Sequence, residues 1–157
     1  LHAYPAFTAS VANLKPTARG QVRITAQDML VAPAIKMNYL STQQDQDVAA
    51  AAIRLTRKIV AAPALQPYAL QEMNGGDDLL RLAGDIGAAG TNPVGTCKMG
   101  VASDPSAVVD SELRVRGIAG LRVVDASVMP LITTGDTGAT TIVIAERAAQ
   151  LIRAAQP

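Results

Sequence analysis

The spacing of apolar and polar side chains changes period several times along the chain, and each change marks an element. Gly20-Gln21-Val22-Arg23-Ile24-Thr25 alternates polar and apolar positions, the two-residue period of a half-buried strand. Residues 31–40 form a further extended stretch, since Pro33 restrains the residue before it from helical backbone. From Asp45 the period lengthens. Val48, Ala52, Leu55 and Ile59 recur at three- and four-residue spacing, which predicts an amphipathic helix over 45–61 that stops before Pro63 and packs its apolar stripe on a sheet. A second helix is predicted over 77–88, capped by Asp77 or Asp78, with Leu79, Leu82, Ala83 and Ile86 on one face and Gly87 and Gly90 ending it. A turn-rich loop then runs through Asp104-Pro105, and two short extended pieces, 112–116 and 121–125, are punctuated by Gly117 and Gly120. The last predicted element is a helix over 139–154 with Ile142, Ala145, Ala149 and Ile152 on one side. No internal repeat is present, and the only compositional bias is an excess of alanine.

Composition narrows the function classes. A chain of 157 residues builds one core or pieces of two domains. Aromatic residues make up 3%, too few for a base-stacking platform, and a net charge of +1 without a basic cluster disfavours a nucleic-acid partner. No apolar run reaches the roughly 18 to 20 residues of a membrane span. Residues 1–5 lack a basic stretch followed by an apolar one, so no secretory leader is read and a cytoplasmic location is favoured. Cys97 is the single cysteine, which excludes an internal disulfide and a thiolate metal cluster, and no metal site is expected.

Two motifs carry most of the information. The run Asn92-Pro93-Val94-Gly95-Thr96-Cys97-Lys98-Met99-Gly100, followed by Gly120-Leu121-Arg122-Val123-Val124-Asp125-Ala126-Ser127-Val128-Met129-Pro130, resembles the closing segment of the glucose-methanol-choline (GMC) family of FAD-dependent oxidoreductases, in which similar stretches flank the flavin. Gly20-Gln21-Val22-Arg23-Ile24, Pro33-Ala34-Ile35 and Asn38-Tyr39-Leu40-Ser41 are similar to the family's substrate-domain strand and the segment after it, and Ala61-Ala62-Pro63-Ala64-Leu65 to a helix end, so the resemblance covers at least residues 20–153. It implies a mixed α+β/α/β fold. Residues 1–90 would complete the sheet and helices of a substrate-binding domain, and residues 91–157 would return to the FAD-binding, Rossmann-like domain. Such enzymes hold the ADP part of FAD with a strand, a Gly-x-Gly-x-x-Gly turn and a helix near their N-terminus. That motif does not occur in this sequence. The resemblance therefore implies a C-terminal portion whose partner is an N-terminal FAD-binding portion, and which alone does not hold FAD.

The departures from the family fall on the positions that carry chemistry. Asn92 stands where the family usually has a histidine that takes the hydroxyl proton, a role suited to a side chain titrating near the working pH. An asparagine amide cannot accept that proton, but it can hydrogen-bond a substrate oxygen. Read by itself, Asn92-Pro93 is a turn starter. Gly138 stands where the family has histidine or asparagine. The family's Gly-Asn-x-Asn-Ala-Pro-Thr corresponds to Gly135-Asp136-Thr137-Gly138-Ala139-Thr140-Thr141, which puts Asp136 at the first asparagine. As plain sequence, Gly135 and Gly138 shape a loop entering a helix that Asp136 or Thr137 caps.

By resemblance the backbone of Gly138, Ala139 and Thr140 faces the N1 edge of the ring, where the amides opening a helix favour the negative charge of reduced flavin. Asp125 and Ala126 correspond to positions beside the ribityl and phosphate part of the cofactor; the alternative for Asp125 is a buried turn carboxylate bonded to backbone amides. The sole histidine, His2, reads as a solvated terminal residue, Cys97 as a small buried side chain, and Lys98 and Arg122 as ion-pair or backbone ligands.

The implied function is oxidation of a primary or secondary alcohol by hydride transfer to flavin N5, with Asn92 orienting the substrate and any base supplied by the N-terminal portion or a water. Two alternatives stay open. One is a family member with changed chemistry, a hydroxynitrile lyase or a light-driven fatty-acid decarboxylase; the decarboxylases also place glycine at the position of Gly138, but have asparagine where this chain has Thr91. The other is a non-catalytic subunit.

Overall fold

In a computed structural model, residues 4–88, 90 and 92–155 are described. They fall into two compact units: one joins Asn38–Ala88 to the segment ending at Arg19, and the other joins Gly20–Met37 to the described residues from Gly90 onward.

The first unit is helical. Helix α1 spans Gln43–Val60 and is capped by Thr42, whose hydroxyl accepts from the Asp45 amide at 3.2 Å. Its middle is rich in alanine, its first turn carries Asp45 and its last turn Arg57 and Lys58, the arrangement that complements the helix dipole. The chain leaves α1 through Ala61 into a 3₁₀ turn, Pro63–Tyr68. Helix α2 spans Leu79–Ile86; Asp78 caps it by accepting from the Arg81 amide at 3.0 Å, and Gly87 closes it. A Cβ on Gly87 would lie 2.3 Å from the Ala83 carbonyl oxygen, so glycine is required there. Arg57 clamps the intervening loop, pairing with Glu72 at 3.0 Å and donating to the Gly76 carbonyl at 2.8 Å. Both predicted helices are present, but the expected sheet beneath α1 is replaced among the described residues by α2. Leu55 and Ile59 of the predicted stripe stay more than half exposed, at 56% and 57%.

One carboxylate ties this unit together. Asp45 is 3% exposed and accepts from the Thr17 amide at 2.8 Å, the Ala18 amide at 2.8 Å, the Thr17 hydroxyl at 3.1 Å and the Asn13 amide group at 3.1 Å. Burial alone would raise its pKa. The Thr17 and Ala18 amides and the Thr17 and Thr42 hydroxyls outweigh that and hold it below the ordinary carboxylate value.

The second unit holds the main apolar core. Strand β1, Gln21–Arg23, pairs antiparallel with β2, Ala34–Lys36, in the register Gln21↔Lys36, Val22↔Ile35, Arg23↔Ala34. The two predicted extended stretches are thus partners, although regular pairing covers only three residues of each and both strands are exposed throughout. Gly20 permits their close approach, since a Cβ there would sit 2.3 Å from the Lys36 carbonyl oxygen.

Val109, Leu113, Val128 and Ala148 form the buried cluster, with Met99, Val108, Val115, Val123, Val124 and Ile144 packed against it. The predicted extended pieces 112–116 and 121–125 meet through one antiparallel bridge, Arg114↔Arg122, and Val115 bridges back to Val109, so neither grows into a regular strand. The cause is a tight turn. Asp110 accepts from the Glu112 and Arg114 amides at 2.8 and 3.0 Å and pairs with the Arg114 guanidinium at 2.9 Å, while Leu113 takes a left-handed φ of 64°. Lys98 pins the preceding loop through Asp104 at 2.8 Å and Ser106 at 2.7 Å. The Lys98 ammonium, followed by the Ser106 hydroxyl and amide, holds the Asp104 carboxyl far below the usual range. Arg122 donates to the Glu112 carbonyl at 3.1 Å, so the expected ion-pair and backbone-ligand roles of Lys98 and Arg122 are met.

Helix α3, Thr137–Ala154, starts two residues before the predicted helix. Its buried face also differs from the predicted one. Thr137 and Ala148 are buried and Ile144 packs on the core, whereas Ile142 of the predicted stripe is 66% exposed. This helix is apolar on two faces, and periodicity alone does not say which one meets the core. In the loop entering it, the Thr133 hydroxyl oxygen is buried and has no partner among the described groups.

Two outcomes are expected. Asp45→Asn lowers stability near neutral pH by about 2 kcal/mol, because hydrogen bonds to a charged group are replaced by weaker ones. Since the folded pKa of Asp45 is depressed, its contribution is fully present above the unfolded value near 4 and is lost as pH falls through the folded one. Urea unfolding followed against pH should therefore show the gap between parent and variant closing below about pH 4; a constant gap contradicts the assignment. For Thr133→Val, which removes an unpaired hydroxyl at nearly constant shape, stability should be unchanged or raised by about 1 kcal/mol. A clear loss in the same measurement would mean that the hydroxyl has a partner.

Candidate functional site

Backbone pairing joins the two sequence motifs. The Cys97 amide donates to the Ser127 carbonyl at 3.0 Å, and the Met99 amide to the Val128 carbonyl at 2.9 Å. Between them and Asn92, Gly95 takes a φ of 91°, a left-handed conformation that favours glycine, and a Cβ in this position would stand 3.4 Å from the Met129 carbonyl oxygen. The segments therefore lie side by side at near-contact distance. Cys97 is half-buried and its sulfur is free, in keeping with a packing role.

Asp125 caps a short 3₁₀ turn, Ala126–Val128, by accepting from the Ser127 amide at 2.8 Å and from the Ser127 hydroxyl. The expected bond to a backbone amide is present, but the carboxylate is exposed and not buried. Ala126 is half-buried, and Val128 and Met129 anchor the turn in the core at 1% and 4% exposure. This turn packs against α3.

The opening of α3 is shaped by Asp136, which caps the helix by accepting from the Gly138 amide at 2.8 Å. Of the two candidate caps, Asp136 is the one used. Gly138 and Ala139 are exposed on the first turn and Thr140 is half-buried. A Cβ on Gly138 would meet Asp136 Oδ1 at 3.2 Å, closer than most such contacts, so the small residue and the capping carboxylate suit one another. Gly138 therefore offers neither a side chain nor an unused amide; what stands at its amide is a carboxylate.

Asn92 is exposed, and it lies in irregular backbone at the head of the paired motif. All the expected site residues, Asn92, Asp125, Ala126, Gly138, Ala139 and Thr140, belong to the second unit. His2 and Thr91 lie outside the described residues. Sequence reasoning did not find Thr133, for no local pattern distinguishes a buried unpartnered threonine from a solvated one. Among the described residues no group of histidine, cysteine and carboxylate side chains could hold a metal ion. An open cleft of about 460 Å³ occurs in the first unit, between α1 and the start of α2, bordered by Asp47, Arg54, Asp77 and Asp78; it contains none of the expected site residues.

Residues 16–145 match the family model described as GMC oxidoreductase. The oxygen-dependent choline dehydrogenase of Proteus mirabilis (strain HI4320) is 43% identical over 96% of this chain, which spans 28% of that relative's length. Among solved structures, the pyridoxine 4-oxidase from Mesorbium loti superposes with a TM-score of 0.80 at 32% identity, over 92% of this chain and 29% of that one. An FAD-dependent oxidoreductase from Chaetomium thermophilum superposes with a TM-score of 0.76 at 28% identity, over 89% of this chain and 25% of its own. No helix among the described residues is long and apolar enough to cross a membrane. On the extent of the family match and the union of both motifs in one packed unit, the chain belongs to the GMC oxidoreductase family.

Proposed function

We propose that this chain is the C-terminal portion of an FAD-dependent enzyme that oxidises a small alcohol, with residues 1–90 completing a substrate-binding domain and 91–157 an FAD-binding one. The observation that carries the reading is the backbone pairing of the Asn92 motif with the Asp125 turn, and the packing of that turn on α3, which gathers every expected flavin-side element in one unit. The relatives' names, a choline dehydrogenase and a pyridoxine oxidase, support an oxidoreductase acting on a hydroxyl-bearing substrate.

The donor set fits FAD. Asp125 is an exposed, pre-oriented carboxylate able to accept from ribityl hydroxyls, and Gly138 and Ala139 leave the first turn of α3 uncovered, without bulk against a planar ring. When bound, FAD supplies a hydride acceptor at N5. Asn92 then holds the substrate oxygen by hydrogen bonding and leaves proton removal to a group of the N-terminal portion or to a water. Ala126 opens the turn that Asp125 caps, and the backbone of exposed Ala139 and half-buried Thr140 would face the ring edge.

A second reading, a relative that retains FAD but performs a different reaction, draws on two observations: Asn92 cannot act as a base, and Gly138 has no side chain to bind an alkoxide.

The chain alone should be colourless. Joined to its N-terminal portion it should bind FAD at about 1:1, with the family's pyrophosphate-binding turn supplied by that portion. Tight FAD binding by these residues alone would overturn the division of labour. In the assembled protein, Asn92→His should raise anaerobic flavin reduction by alcohols by about tenfold, below the 10² to 10⁴ range of general-base catalysis because Gly138 still leaves the alkoxide without its second partner. Stopped-flow reduction across an alcohol panel tests this. No reduction by any alcohol in either parent or variant, with FAD bound, would move the assignment to the second reading.

A further inference from the structure

We propose that Asp136 is a potential-setting residue, which keeps the flavin harder to reduce than a neutral cap at the same position would. The inference rests on the proposed flavin site at the opening of α3. The residues themselves give the sign. A helix N-terminus is equivalent to roughly half a positive charge spread over its first amides, and that charge favours electron density gathering on a nearby ring. Here the Gly138 amide is bonded to Asp136 Oδ1 at 2.8 Å, which holds the carboxylate at the helix opening, and Asp136 is exposed. One full negative charge outweighs the half positive charge behind it, so the net field at the helix opening opposes reduction.

Among the described residues Asp136 makes no ion pair, and its sequence neighbours 131–146 include no lysine, arginine or histidine. The ion pairs of this unit, Lys98 with Asp104 and Arg114 with Asp110 and Glu112, engage other carboxylates. Hydride uptake brings two electrons and one proton to the ring, so negative charge builds up where the carboxylate is held. Even at a separation of about 10 Å in an effective dielectric of about 20, two unit charges change such an equilibrium by more than tenfold. An asparagine at this position can still cap the helix through its amide oxygen, but without the charge.

The test is the midpoint potential of bound flavin, measured by equilibration with reference dyes in the holoprotein formed by this chain and its N-terminal portion, for the parent, Asp136→Asn and Asp136→Ser. Both variants keep a capping oxygen, and the serine variant stands in should the asparagine one fail to fold. Glu146→Gln, on the same helix well beyond its first turn, controls for net charge. The expected result is a shift toward reduced flavin of at least about tenfold in both Asp136 variants, about 30 mV for a two-electron couple, with Glu146→Gln close to the parent. Unchanged or lowered potentials in Asp136 variants that bind FAD overturn the role of Asp136 while leaving the flavin site intact, as does an equal rise in Glu146→Gln. Failure of the parent assembly to bind FAD overturns the flavin site and this inference together.

Discussion

The architecture of the second unit depends on the pairing of residues 97–99 with residues 127–128. Two backbone hydrogen bonds, from the Cys97 amide to the Ser127 carbonyl and from the Met99 amide to the Val128 carbonyl, satisfy groups that would otherwise be stranded beside the core, where Val109 and Val128 are buried. The Val108 amide returns to the Lys98 carbonyl at 2.8 Å, so the same segment is held from both sides. Almost no regular strand is involved. The order comes from single bridges, tight turns and specific carboxylate caps, which explains why glycines and aspartates recur in this half of the chain and why Gly95 and Gly100 tolerate no larger residue cheaply: a Cβ on Gly100 would lie 2.8 Å from that of Ala107.

Carboxylates perform a comparable task throughout. Asp45, Asp78, Asp104, Asp110, Asp125 and Asp136 each accept from a backbone amide close by in sequence or at a segment junction. In an alanine-rich chain with few aromatic side chains, dispersion contacts per residue are modest, and charge-assisted bonds of this kind define the turns instead. The difference among them is exposure. Asp45 is sealed in and acts on stability; Asp125 and Asp136 are exposed and remain available to whatever lies opposite.

The legible parts of the sequence were those with a local physical cause. Helices α1 and α2 follow from spacing and caps, and their ends match the predicted ones within a few residues because Asp78 and Gly87 are strong local signals, whereas the Thr42 cap of α1 was not read. The extended pieces 20–25 and 31–40 were recognisable, but their pairing is a long-range fact. So is the choice of face on α3: Ile142, Val143, Ile144 and Ala148 are equally apolar as letters, and only the position of Val109 and Val128 selects the last two for burial. Among the described residues α1 packs on α2 and not on a sheet, for an apolar stripe specifies that something covers it and not what. The family motifs were legible as motifs, whereas their contact with each other, through main chain alone, leaves no side-chain trace.

Positions 92 and 138 sit in unlike surroundings. Asn92 is exposed in irregular backbone at the head of a motif that is held by main chain, through the Cys97 and Met99 amides, and not by the Asn92 side chain. Gly138 is instead tied to the helix cap: its amide donates to Asp136 Oδ1 at 2.8 Å, and a Cβ there would stand 3.2 Å from that oxygen, so a side chain at 138 requires the carboxylate to give by a few tenths of an ångström. A substitution at 92 therefore changes the side chain offered with little effect on the main-chain frame, whereas one at 138 also touches the geometry and charge of the helix opening.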